Sequence, residues 1–90
     1  MEKRQLTRIA KALSDPRRFE ILQQIAGEDE MSCSALKENH KISPATLSHH
    51  IKELEAAGLV DIRRESKFLY VQLRRPAWKS YLKELKKIGR

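Results

Sequence analysis

Between Lys41 and Lys52 the sequence KISPATLSHHIK offers Ser43, Thr46, Ser48, His49 and two lysines, and no carboxylate. Hydroxyls and imidazoles donate and accept hydrogen bonds, ammonium groups attract anions, and a small residue such as Ala45 permits close approach. Counting 100° per residue from Leu47, the apolar Leu47, Ile51 and Leu54 share a narrow stripe, whereas Ala45, His49, Lys52 and Ala56 lie opposite, flanked by Thr46 and Ser48. A solvated helix face usually mixes both signs of charge. One without acids is suited to a polyanion. His49 counts to the outside, while His50 falls on the flank of the apolar stripe, where a structural or phosphate-bonding role is expected ahead of base reading.

A second set of cations, Arg63, Arg64 and Lys67, lies on or beside a predicted hairpin tip, where it would meet phosphates. Other chemistries find fewer residues. The lone Cys33 has no thiol partner in the chain, and it reads as a small core or helix-start residue. Residues 76–90 contain no His and one Glu, and His49 and His50 diverge around a helix, so no metal-ligand set is expected. Three glycines in all leave no phosphate-cradling Gly loop, and no nucleophile, base and carboxylate follow in order, so neither an enzyme nor a cofactor is expected.

The elements that must position these groups are legible from periodicity and caps. Leu6, Ile9, Ala10 and Leu13 predict a helix over about 4–13, stopped at Ser14-Asp15-Pro16. Asp15 caps a second helix with Pro16 in its first turn, burying Phe19, Leu22, Ile25 and Ala26 and ending at Gly27. Ser32 opens a short third helix through Asn39. A tight connection at His40-Lys41-Ile42 leads to Ser43-Pro44, again a cap and a first-turn proline, and Gly58 closes that fourth helix. From Leu59 the period becomes two, predicting two strands joined at residues 64–67. Pro76 then restarts a helix over about 76–88, in which Trp78, Leu82, Leu85 and Ile88 repeat at helical spacing with Tyr81 beside them. Lys83, Lys86, Lys87 and Arg90 are expected to solvate its outer face.

Ninety residues with 40% hydrophobic content predict a single domain, 1–90, with a core that is thin for a monomer and that a second copy would thicken. Nineteen Lys and Arg against 12 Asp and Glu give a formal charge of +7, in the range of chains that meet polyanions. The longest apolar run, Ala56–Val60, is far short of the ~20 residues that span a bilayer, and the basic N-terminal segment lacks an apolar core. A cytoplasmic protein without membrane contact is expected.

A short helix, a tight turn, a second amphipathic helix and a basic hairpin make a mostly α fold of winged helix-turn-helix outline, whose second helix fits the major groove of double-stranded DNA. The segments LSDPRRFEIL, SPATLSHHIKELEAAGLV and IRRESKFLYVQL resemble the ArsR-type winged helix-turn-helix transcriptional repressors over about residues 6–75. That resemblance implies a homodimer joined mainly by the first and last helices, through Leu6, Ile9, Leu13, Trp78, Tyr81, Leu82, Leu85 and Ile88. It implies a repressor on a pseudo-palindromic operator, contacting DNA through Lys41, Ser43, Ala45, Thr46, Ser48, His49, His50, Lys52, Arg63, Arg64 and Lys67. Lys37, His40 and Lys41 depart from the family's usual turn, and Pro44 replaces a side chain that commonly reads bases, which shifts specificity toward DNA shape or the wing. Two other readings are a winged-helix module docking on an acidic partner and a thiol-responsive repressor bridged through Cys33.

Overall fold

The computed structural model describes residues 1–89, so Arg90 and its expected solvating role lie outside the described residues. Five helices and three strands follow in the order α1 (Lys3–Ala12), α2 (Pro16–Ala26), β1 (Met31–Ser32), α3 (Cys33–Asn39), α4 (Pro44–Ala56), β2 (Val60–Glu65), β3 (Phe68–Leu73) and α5 (Arg75–Ile88). The predicted caps hold. Asp15 accepts the Arg18 N–H at 2.9 Å, Ser32 that of Ala35 at 3.1 Å and Ser43 that of Thr46 at 3.1 Å. Each satisfies an N–H that the first helical turn would otherwise leave unpaired.

The hairpin pairs β2 with β3 antiparallel from Val60↔Leu73 to Glu65↔Phe68, leaving Ser66 and Lys67 as a two-residue turn with Ser66 at φ 56°. A third strand that the hairpin reading did not include lies on its outer side. Met31 and Ser32 pair with Val71 and Tyr70, giving the sheet order β1-β3-β2. Two residues are too few to show a period, so only the pairing reveals this strand.

One apolar core lies between the sheet and the helices, built on Ile9, Ile21, Leu22, Ile25, Leu36, Leu47, Ile51, Leu54, Leu59, Val60 and Val71. Two expectations are corrected here. Phe19 is not core: it is 41% exposed, and Ile21 is fully buried in its place. Residues two apart on a helix point about 200° apart, so only one of the pair can face the core, and the β-branched Ile21 does. Ile9 and Tyr81, assigned to a subunit interface, are 0% and 6% exposed within the single chain and already buried in its own core. Leu6, Leu13 and Trp78 are half-buried against that core, whereas Leu82, Leu85 and Ile88 remain exposed.

Candidate nucleic-acid interface

The turn into α4 is anchored from below. His40 is buried, its Nε2 lies 2.7 Å from Gln24 Oε1 and its Nδ1 3.4 Å from an Arg17 nitrogen, so α2 grips the connection between α3 and α4. This departure from the family's usual turn residues thus has a structural reason. From there α4 turns Leu47, Ile51 and Leu54 into the core and leaves Ala45, Thr46, Ser48, His49 and Lys52 exposed, with Lys41 and Ser43 just ahead of it. The Ser43 hydroxyl is occupied twice, accepting the Thr46 N–H and donating to Thr46 Oγ1 at 2.8 Å. Thr46 keeps its own proton for an outside acceptor.

His50 does not belong to this outer face. It is 7% exposed, turned toward the start of α2, and its Nδ1 finds no hydrogen-bond partner among the described residues. Burial holds its pKa below the usual imidazole range; Asp15 opposes that shift, while Arg18, His49 and Arg17 add to it. Burial disfavours the charged form, which favours a structural place for this ring over a charged contact to phosphate. His49, exposed one residue earlier, has its ring 6.0 Å from that of His50.

Arg63 and Arg64 separate for the reason that governs every strand: consecutive side chains point to opposite faces. Arg64 shares a face with Ile62 and lines a groove with Ser48 and Lys52 of α4. Arg63 lies on the other face, bonded to Glu30 at 2.6 Å and Glu65 at 2.9 Å, with its guanidinium 4.5 Å over the Tyr70 ring. Those carboxylates push its pKa further up and hold the guanidinium on the face opposite Arg64. Lys67, in the turn, is exposed and stands 5.7 Å from the Phe68 ring.

Cations that the sequence reading passed over lie on the far flank of α4. Arg4, Arg8 and Lys11 of α1 line a shallow concavity of about 460 Å³ with Glu53 of α4, and none of the three is in an ion pair among the described residues. Their spacing of four and three was a legible stripe, but it was read only for its apolar counterpart. Lys37 of α3, noted in the sequence only as a departure from the family's turn, is exposed and lines the same groove as Lys52.

Cys33 is half-buried, and burial pushes its thiol pKa up, which lowers the thiolate fraction that redox chemistry needs. Among the described residues no three His, Cys, Asp or Glu groups come together in a way that could hold a metal ion. No helix among them is long and apolar enough to cross a membrane.

Comparison with known proteins places this geometry. A family model described as a helix-turn-helix domain matches residues 13–63. The chain is 34% identical over 68 residues to the transcriptional repressor SdpR of Bacillus subtilis, covering 76% of this chain and 74% of that one. The fold matches an ArsR-like transcriptional regulator from Rhodococcus with a TM-score of 0.82 at 26% identity, over 94% of this chain and 79% of the other. It also matches the homodimeric winged helix-turn-helix DNA-binding domain Mb0332 of Mycobacterium bovis, with a TM-score of 0.76 at 26% identity, over 94% and 78%.

Proposed function

The chain belongs to the ArsR-type winged helix-turn-helix transcriptional regulators, and from that premise we propose a homodimeric repressor that binds a pseudo-palindromic operator. In this reading α4 enters the major groove and α1 and α5 join the subunits. It is a binding protein and not an enzyme, and it works in the cytoplasm beside its DNA. The observation that carries the reading is the outer ridge of α4, exposed and free of acid from Lys41 to Lys52 while its other face is sealed in the core.

Ser48 and His49 are assigned to base edges, Ala45 to close approach, and Thr46 to a base or phosphate. Lys41, Lys52, Arg64 and Lys67 are assigned to phosphates. Ser43 serves as the cap that presents the helix N-terminus, whose partial positive charge suits a phosphate. The α1 stripe of Arg4, Arg8 and Lys11 extends the same positive surface past the opposite flank of α4.

Selection of bound sequences from a random duplex library tests this directly. The expected product is a pair of inverted half-sites about one helical turn apart, bound at least ~10³-fold more tightly than random duplex. Lys52→Ala and Arg64→Ala should each weaken all sequences alike and flatten the slope of log affinity against log salt by about 1. Arg63→Ala should leave that slope unchanged, and His49→Ala should alter the preferred base. Failure to enrich any sequence, with Lys52→Ala binding like the parent, overturns the assignment.

A further inference from the structure

Where α3, α4 and the hairpin meet, an open groove of about 570 Å³ runs alongside the proposed DNA-reading ridge. That volume is within the ~300–1,000 Å³ of small-molecule sites. Its floor is apolar, formed by the half-buried Ile62 and Leu69 of the hairpin with the buried Leu47 and Ile51 of α4 beneath them. Its rim is cationic: Lys37, Lys52 and Arg64 come from three different elements, and none is ion-paired among the described residues. Glu55 is the one carboxylate in the lining.

These two features call for one occupant. A phosphodiester strand would neutralise the rim but leave the apolar floor in contact with water, and a neutral apolar molecule would do the reverse. A small amphiphilic anion, a carboxylate or sulfonate on an acyl or aryl body, satisfies both. We propose that the groove binds such an organic anion and that its occupancy releases DNA, because Ser48, Lys52 and Arg64 belong to the groove and to the proposed DNA surface together. The coupling rests on the repressor reading; the binding site does not. Two ligands that need the same side chains exclude each other, so the apparent Kd for one rises in proportion to the concentration of the other once that exceeds its own Kd.

Titration of the ¹⁵N-labelled full chain with sodium decanoate below its micellar concentration, and in parallel with 1-anilinonaphthalene-8-sulfonate, tests the site. Saturable amide shifts are expected at Lys37, Ile51, Ile62, Arg64 and Leu69, with acetate and decanol producing none. Lys37→Gln should weaken both probes at least fivefold, and Leu69→Trp, which fills the floor, should abolish them. Should Leu69→Trp fail to fold, the surface change Lys37→Gln still decides. In fluorescence anisotropy with the selected duplex, the apparent Kd should rise linearly with decanoate. Shifts absent for both probes, shifts centred on Leu82, Leu85 and Ile88 instead, or undiminished binding by Lys37→Gln would overturn the groove site and leave the repressor reading intact. Saturable groove binding with an unmoved duplex Kd would overturn the coupling. Groove binding by a chain that retains no duplex at all would sink the repressor reading and leave the site standing.

Discussion

His49 and His50 are neighbours with opposite fates, and the 100° between them is the reason. One rotates onto the exposed ridge and the other under the helix, beside Arg18 and Asp15. The helical count made this divergence legible, but it could not say how deep the flank would sink, because depth depends on α2 packing across it. Arg63 and Arg64 make the same point on a strand: their alternation was readable, whereas the capture of Arg63 by Glu30 needs the loop before β1 to fold back across 33 residues. The burial of His50 has a consequence for stability. Its folded pKa is held below the 6.5 of an unfolded imidazole, so as pH falls through 6.5 the unfolded chain takes up a proton that the folded chain refuses. Stability is therefore fully present above that value and is lost on acidification until the folded pKa is passed. The pKa of Asp15 is lowered below 3.8 by its bond to the Arg18 N–H, so its own loss comes at lower pH and does not confuse the window. The urea midpoint should fall between pH 7.5 and 5.5, and His50→Leu should remove most of that fall. An equal fall in the variant would mean that another group controls it.

Elements proved more legible than their faces. Capping chemistry is local, since a serine or aspartate at a helix start needs only the next three residues to act, and Asp15, Ser32 and Ser43 all cap as expected. Which apolar residue of α2 is buried is not local, and Phe19 yields to Ile21 because α4 and the sheet fix the rotation of the whole helix. The strand β1 is a tertiary product in the same sense, existing only because β3 is there to pair with it. Gly58 shows local and tertiary demands agreeing. It follows the last turn of α4 at φ 81°, a left-handed conformation that ends helices, and a Cβ there would stand 2.8 Å from the side-chain nitrogen of Gln5 on α1. Gly58→Ala should therefore cost about 1–2 kcal/mol for the backbone alone, with more for displacing Gln5. Urea unfolding measures it, and a cost below about 0.5 kcal/mol would show that the helix end relaxes freely.

At the scale of the whole molecule, the question is which apolar surface the single chain leaves unfinished. The folded chain extends 43 × 23 × 21 Å, and its larger exposed hydrophobics include a row on α5: Leu82 and Leu85 at 40% exposure and Ile88 at 78%. Ile9 and Tyr81 stay in the subunit core, so the proposed interface is narrower than the resemblance implied, and helical spacing alone could not distinguish burial by the same chain from burial by another. The remaining row is continuous, three residues apart at each step, and an isologous contact would use it twice. Leu85→Asp should accordingly place two carboxylates in one apolar seam, since each copy contributes one. The dimer should weaken by at least ~10²-fold, read as a shift to monomer in sedimentation equilibrium, because uncompensated charge is among the costliest things to bury. Helical content should stay as in the parent, given that Leu85 is not part of the core. Operator affinity should drop by a further ~10²–10⁴, because two half-sites bound independently lose the effective concentration that linkage supplies. Lys83→Gln, a neighbour on α5 that is exposed and carries no apolar surface into the row, should leave the dimer intact. A Leu85→Asp chain that remained dimeric would move the subunit contact away from α5 altogether, and with it the spacing at which two α4 helices could meet successive major grooves.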